Sequence, residues 1–218
     1  LNNYADVVPT AYEEVYDITD GNDYGVVGNM SSTSSFSYNG TFGNLTVSAM
    51  WNPASVSSSS VVLQYADLID GLTIGASYNE FSDAGDNAPE QAPESGAYYA
   101  TYSFGNFTVG YSRAYKAMLL DDDEHTTTTN ADYYDQSNKS IAMAINDDLS
   151  ISYEVEESTK NAVGAGTADI EQKSSAVQLA YNMGGMTLAI ARNSHDNPGY
   201  SSTAADEDQT LIAVTMAF

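Results

Sequence analysis

The chain has 218 residues, of which 30 are acidic and 6 basic, giving a formal net charge of −24. That balance excludes nucleic acid as a partner, because phosphate binding needs Lys and Arg to displace counterions. Cysteine is absent, which excludes a disulfide framework and a thiolate metal site and leaves cations, divalent metals and water as natural partners.

No run of apolar residues reaches the ~18 that a membrane-crossing helix needs. Leu1–Met30 carries charge throughout and lacks the apolar stretch of a signal peptide, so the chain is expected to be a processed product or a fragment. Its acidic, Ser-rich composition would suit disorder, but 17 Tyr and a repeated alternation weigh against that.

Residues 1–31 come first and hold an acidic set: Glu13, Glu14, Asp17, Asp20 and Asp23. Carboxylates in a narrow, partly dehydrated passage raise the local cation concentration. The plainer reading is a solvated acidic loop. Asp17, Asp20 and Asp23 also crowd oxygen donors around Gly21, a set of the kind calcium takes, although the spacing is not that of an EF-hand. Calcium is the one cofactor the sequence brings forward.

From residue 32 to 218 the signal is period two. Strands are expected at 34–40, 44–51, 59–66, 72–81, 95–104, 107–117, 136–145, 149–157, 173–182, 186–193 and 208–218. In 72–81, Leu72, Ile74 and Tyr78 oppose Thr73, Gly75, Ser77 and Asn79. In 107–117, Phe107, Val109 and Tyr111 oppose Thr108, Gly110 and Ser112. In 149–157, Leu149, Ile151, Tyr153 and Val155 oppose Ser150, Ser152, Glu154 and Glu156. Each segment is a ribbon with one greasy side and one small-polar side. A soluble sandwich fills its core with large side chains. A small-polar face suits a water-filled lumen instead, with the greasy face toward lipid, where only a helix or a closed barrel satisfies the backbone.

Connections are expected to alternate between short (41–43, 67–71, 105–106, 146–148, 183–185) and long (52–58, 82–94, 118–135, 158–172, 194–207). Short turns on one rim and long loops on the other are the layout of outer-membrane barrels. Tyr65, Tyr102, Phe104, Phe107 and Tyr181 fall near short-turn ends, and Trp51, Tyr78, Tyr111 and Tyr115 near long-loop ends. They would make two interfacial girdles.

Among charged residues, Glu154 and Glu156 share the polar parity, about 7 Å apart. A glycosidase also uses paired carboxylates, but no cleft accompanies these, so they read as pore-wall charge. Asp121, Asp122, Asp123 and Glu124 form a second acidic run, in a long loop. It reads as a solvated face, or as a divalent-cation bridge to lipopolysaccharide. Arg113 and Arg192 have lipid-facing parity, which a lipopolysaccharide phosphate or an inward-turning bulge would explain. His125 and His195 are expected in loops. No P-loop, G-x-S-x-G, H-E-x-x-H or dinucleotide fingerprint occurs, so no enzyme is indicated.

The chain closes on Thr210, Ile212, Val214, Met216 and Phe218, apolar at nearly every second position and ending in an aromatic. This resembles the C-terminal assembly signal of outer-membrane barrels, with Phe218 as its key residue. With the turn pattern, the chain looks like a general bacterial porin of the alphaproteobacterial type. Ala11–Met30 (AYEEVYDITDGNDYGVVGNM) is then similar to the constriction loop that folds into the lumen. The resemblance implies five preceding strands, a 16-stranded barrel and a homotrimer. It also implies placement in the bacterial outer membrane among lipid and lipopolysaccharide, with passive diffusion of small polar solutes and ions. The competing expectations are a complete 12-stranded barrel using Tyr24–Asn29, with a structural or adhesive role, and an outer-membrane hydrolase. The hydrolase needs a His of lipid-facing parity, which neither His provides.

Overall fold

The computed structural model describes residues 35–53, 57–81, 91–118, 120, 131–163 and 168–216. These form one antiparallel sheet of eleven strands in sequence order. The strands are β1 (Phe36–Phe42), β2 (Leu45–Asn52), β3 (Ser58–Tyr65), β4 (Leu72–Phe81), β5 (Glu94–Phe104), β6 (Phe107–Ala117), β7 (Ala131–Ala144), β8 (Leu149–Ala162), β9 (Ile170–Asn182), β10 (Met186–Asp196) and β11 (Glu207–Met216). Each pairs only with its neighbours in the chain, and β1 and β11 are the two edges. The described part is thus an up-and-down barrel wall, all-β, with the eleven strands expected from the alternation. Among the described residues no helix is long and apolar enough to cross a membrane.

The faces are inverted relative to a soluble protein. Buried positions are dominated by Ser, Asn, Gln and Glu, while Phe36, Trp51, Leu63, Ile74, Tyr98, Ile141, Val177, Ile190, Ile212 and Val214 are exposed. Alternation puts every one of these apolar side chains on the same side of the sheet. A continuous apolar surface of this extent is not left facing water. The polar side is the interior.

Four strands run further than alternation alone predicts: β7 begins at Ala131, β8 ends at Ala162, β9 begins at Ile170 and β10 ends at Asp196. In these extensions most outward positions are polar or charged, among them Asp135, Thr159, Asn161, Glu171, Ser194 and Asp196. The apolar band stops while the backbone ladder continues. Loop lengths also differ from expectation at one place, since 53–57 on the long-loop rim is no longer than 66–71 on the short-turn rim. The 66–71 turn is tied into the rim by Ala66 N–H to Asn44 O (2.9 Å) and Ser103 N–H to Gly71 O (2.9 Å).

Gly71 has φ +80°, and a Cβ there would lie 2.3 Å from Ser103 O. Gly71→Val should therefore cost about 1–3 kcal/mol, lowering the urea midpoint of unfolding in lipid vesicles. Gly43→Val, where φ is also positive but nothing lies within 4 Å, should cost less.

Candidate functional site: a polar inner wall

The strand register assembles the inward side chains into rungs that run around the wall. One rung is Thr46, Gln64, Gly75, Tyr99, Ser112, Asn138, Glu156, Ser174, His195 and Glu207, each paired with the next across the sheet. The rung below it on β7–β11 is Ser140, Glu154, Ala176, Asn193 and Gln209. The rung above, on β6–β9, is Ala114, Gln136, Ser158 and Gln172. Gly75 lacks a side chain where the Tyr99 ring lies over it; a Cβ would sit 2.2 Å from that ring.

Glu154 and Glu156 stand on the inner face, as their parity requires, in adjacent rungs among hydroxyls and amides. Their exposures are 0% and 1%, so they lie beneath neighbouring side chains. Ser140 Oγ, Asn193 Oδ1 and Gln209 Oε1, all in the Glu154 rung, are buried and accept no hydrogen bond. Hydrogen bonds within the wall run from Gln136 Nε2 to Asn138 Oδ1 (3.3 Å) and from Ser152 Oγ to Gln178 Oε1 (3.5 Å).

The basic residues are distributed asymmetrically. The chain has six, and four of them point outward in ion pairs. Arg113 Nε donates to Asp135 (3.0 Å), Lys139 and Lys173 share Glu157 (2.8 Å each), and Arg192 meets Asp208 (3.0 Å). Arg113 and Arg192 thus keep the outward parity read from the sequence, with no bulge beside them, and Lys139 joins them. Only Lys116 and Lys160 have inward parity, both at the long-loop end, flanking Tyr134 in one rung. Below that rung the described inner wall carries carboxylates without Lys or Arg.

His195 differs from expectation: it lies in β10, not in a loop, and is buried on the inner face. Its Nδ1 is hydrogen-bonded to Ser174 Oγ. The apolar alternation ends at Arg192, which hid the strand's last residues from sequence reading. Ser174 has 0% exposure, so no substrate reaches its oxygen and the pair is a strut in the wall.

An open hollow of about 620 Å³ lies on the outward face, lined by Tyr78, Tyr98, Arg113 and Tyr115. Glu94 accepts there from Tyr78 Oη (2.6 Å) and Tyr115 Oη (3.2 Å). Its position on the apolar side separates it from the inner wall. Glu13, Glu14, Asp17, Asp20, Asp23, the run Asp121–Glu124, His125 and Phe218 lie outside the described residues. Among the described residues no group of three His, Cys, Asp or Glu is placed to hold a metal.

No family model matches the chain, and no curated protein matches it. Solved structures do. OccAB2 of Acinetobacter baumannii superposes with a TM-score of 0.58 at 12% identity, covering 83% of this chain and 54% of that one. A doubly substituted OccD1 (OprD) gives 0.54 at 9% identity, covering 81% and 56%. The chain spans about half the length of these structures. At such identities the likeness is one of fold, that of the porin barrel.

Proposed function

We propose that the chain forms much of the wall of an outer-membrane channel for passive diffusion of small polar solutes and ions, with cations favoured. The observation that carries this reading is the inverted sheet: an apolar face outside and, inside, rungs of Ser, Asn, Gln and Glu. Hydroxyls and amides on the inner side, in place of apolar side chains, make that side compatible with water and polar solutes. Glu154 and Glu156 add negative charge along that path. The resemblance to general porins extends the proposal to a homotrimer and to Glu13, Glu14, Asp17, Asp20 and Asp23 as the constriction, with calcium as a ligand for the three Asp. It also offers lipopolysaccharide as a neighbour at the outer rim and Phe218 as the assembly signal.

The intact native protein in planar bilayers should give discrete conductance steps. In liposomes it should admit small neutral sugars at rates that fall steeply with solute size. A folded, inserted protein that conducts nothing would overturn the reading.

A further inference from the structure

The β10–β11 connection, residues 197–206, folds back across the polar inner face. Asn197, Gly199 and Tyr200 have φ of +52°, +67° and +57°, reversing the chain within a few residues. The left-handed region is unfavourable for a bulky side chain and persists only where the surroundings over-determine it. Here they do. Gln172 Oε1 accepts from the backbone N–H groups of Gly199 (2.7 Å) and Tyr200 (3.3 Å), and Asn197 Nδ2 donates to Glu171 O (2.9 Å). Tyr200 itself is 8% exposed. Its hydroxyl lies 2.6 Å from Ser158 Oγ, and its ring centroid is 5.3 Å from that of Tyr134 at 57°.

These anchors fix where the loop sits. Ser158 is two residues above Glu156 on the same face of β8, and Tyr134 lies in the rung between Lys116 and Lys160. The connection therefore passes over the inner wall between the two lysines of the outer rim and the two carboxylates below.

We propose that this connection is an inward-folded constriction, fastened by Gln172 and Ser158 through Tyr200, and that Tyr200 sets the size of solute that passes the level of Glu156. The inference rests on the channel reading and adds a passage-limiting residue to it. A backbone segment held against the wall removes cross-section directly, and freeing it restores that cross-section.

The test uses single-channel recording of the intact protein, with folding checked by heat-modifiable gel mobility. Tyr200→Ala removes the ring and hydroxyl; Gln172→Leu removes the acceptor for both backbone N–H groups and leaves Tyr200 in place. Both should raise conductance roughly 1.5-fold and admit larger sugars. Tyr200→Phe, which keeps the ring and removes only the hydroxyl contact to Ser158, should shift conductance the same way by less. Ser202→Ala, exposed in the same loop, should change nothing. If the wild type conducts and the folded Tyr200 and Gln172 variants match it, the proposal is overturned while the channel reading stands. A wild type that conducts nothing overturns the channel reading itself.

Discussion

Ile190→Arg should remove most of the folded protein from membranes. Ile190 pairs with Leu179 on β9 and Ile212 on β11, and it points outward in a part of the sheet where no charge lies below it on the same strand. An Arg on the lipid side of a barrel costs about 2–4 kcal/mol near the bilayer midplane, falling toward the interfaces. Against a total stability of about 5–15 kcal/mol that is a large fraction. Thr215→Arg is the matched control, on the same two-strand unit but with inward parity, where water solvates the charge. The urea midpoint in lipid vesicles should fall sharply for Ile190→Arg and little for Thr215→Arg. The opposite ranking would mean that the faces have been assigned the wrong way round.

Neutralising Glu154 and Glu156 together to Gln should shift reversal potentials toward anions, reducing the cation-to-anion permeability ratio roughly 3- to 10-fold in dilute salt. The two carboxylates are the acidic groups of the inner wall between Lys160 and the short-turn rim on β8, so passing ions have no nearer charge on that strand. The shift should shrink in molar salt, where the Debye length falls from about 8 Å to about 3 Å. Some should persist, because buried charges are screened less. Glu157→Gln, one residue away but outward and bound to Lys139 and Lys173, should leave selectivity unchanged. An equal shift in the Glu157 variant would show that the inner carboxylates have no special hold on the ion path.

The faces of the strands were legible because a lumen and a lipid phase demand opposite chemistries at alternate residues. Ser112 against Tyr111, or Ser152 against Tyr153, states the side without any structure. Strand ends were less legible where the apolar criterion fails but the ladder goes on: Asp135, Thr159 and Glu171 read as loop residues and are paired across the sheet. The rungs themselves need the cross-strand register, which no single segment encodes. Nothing local to Ser174 says that His195 lies opposite. Asn197-Pro198-Gly199 announces a turn, but its inward direction depends on Gln172, on β9 rather than on the strand the turn follows. The acidic segment before residue 31 and the terminal Phe218 remain readings of sequence and resemblance.

The outward ion pairs have a consequence for how the molecule sits in a bilayer. On β5 the outward positions from Phe104 to Gly96 carry no charge before Glu94, whereas on β10 only Met186, Leu188 and Ile190 precede Arg192. With a rise of ~3.3 Å per residue and a tilt near 45°, the uncharged band is roughly 23 Å tall at β5 and roughly 14 Å at β10. A bilayer of uniform thickness cannot match both heights. It must thin beside β10, or the barrel must lean to bring its short side into register, and either adjustment costs a fraction of a kcal/mol per Å. Hydrophobic mismatch thus varies around the circumference, which makes the sector around β10 the place where a thin patch of membrane, or the flat side of another protein, is accommodated at least cost.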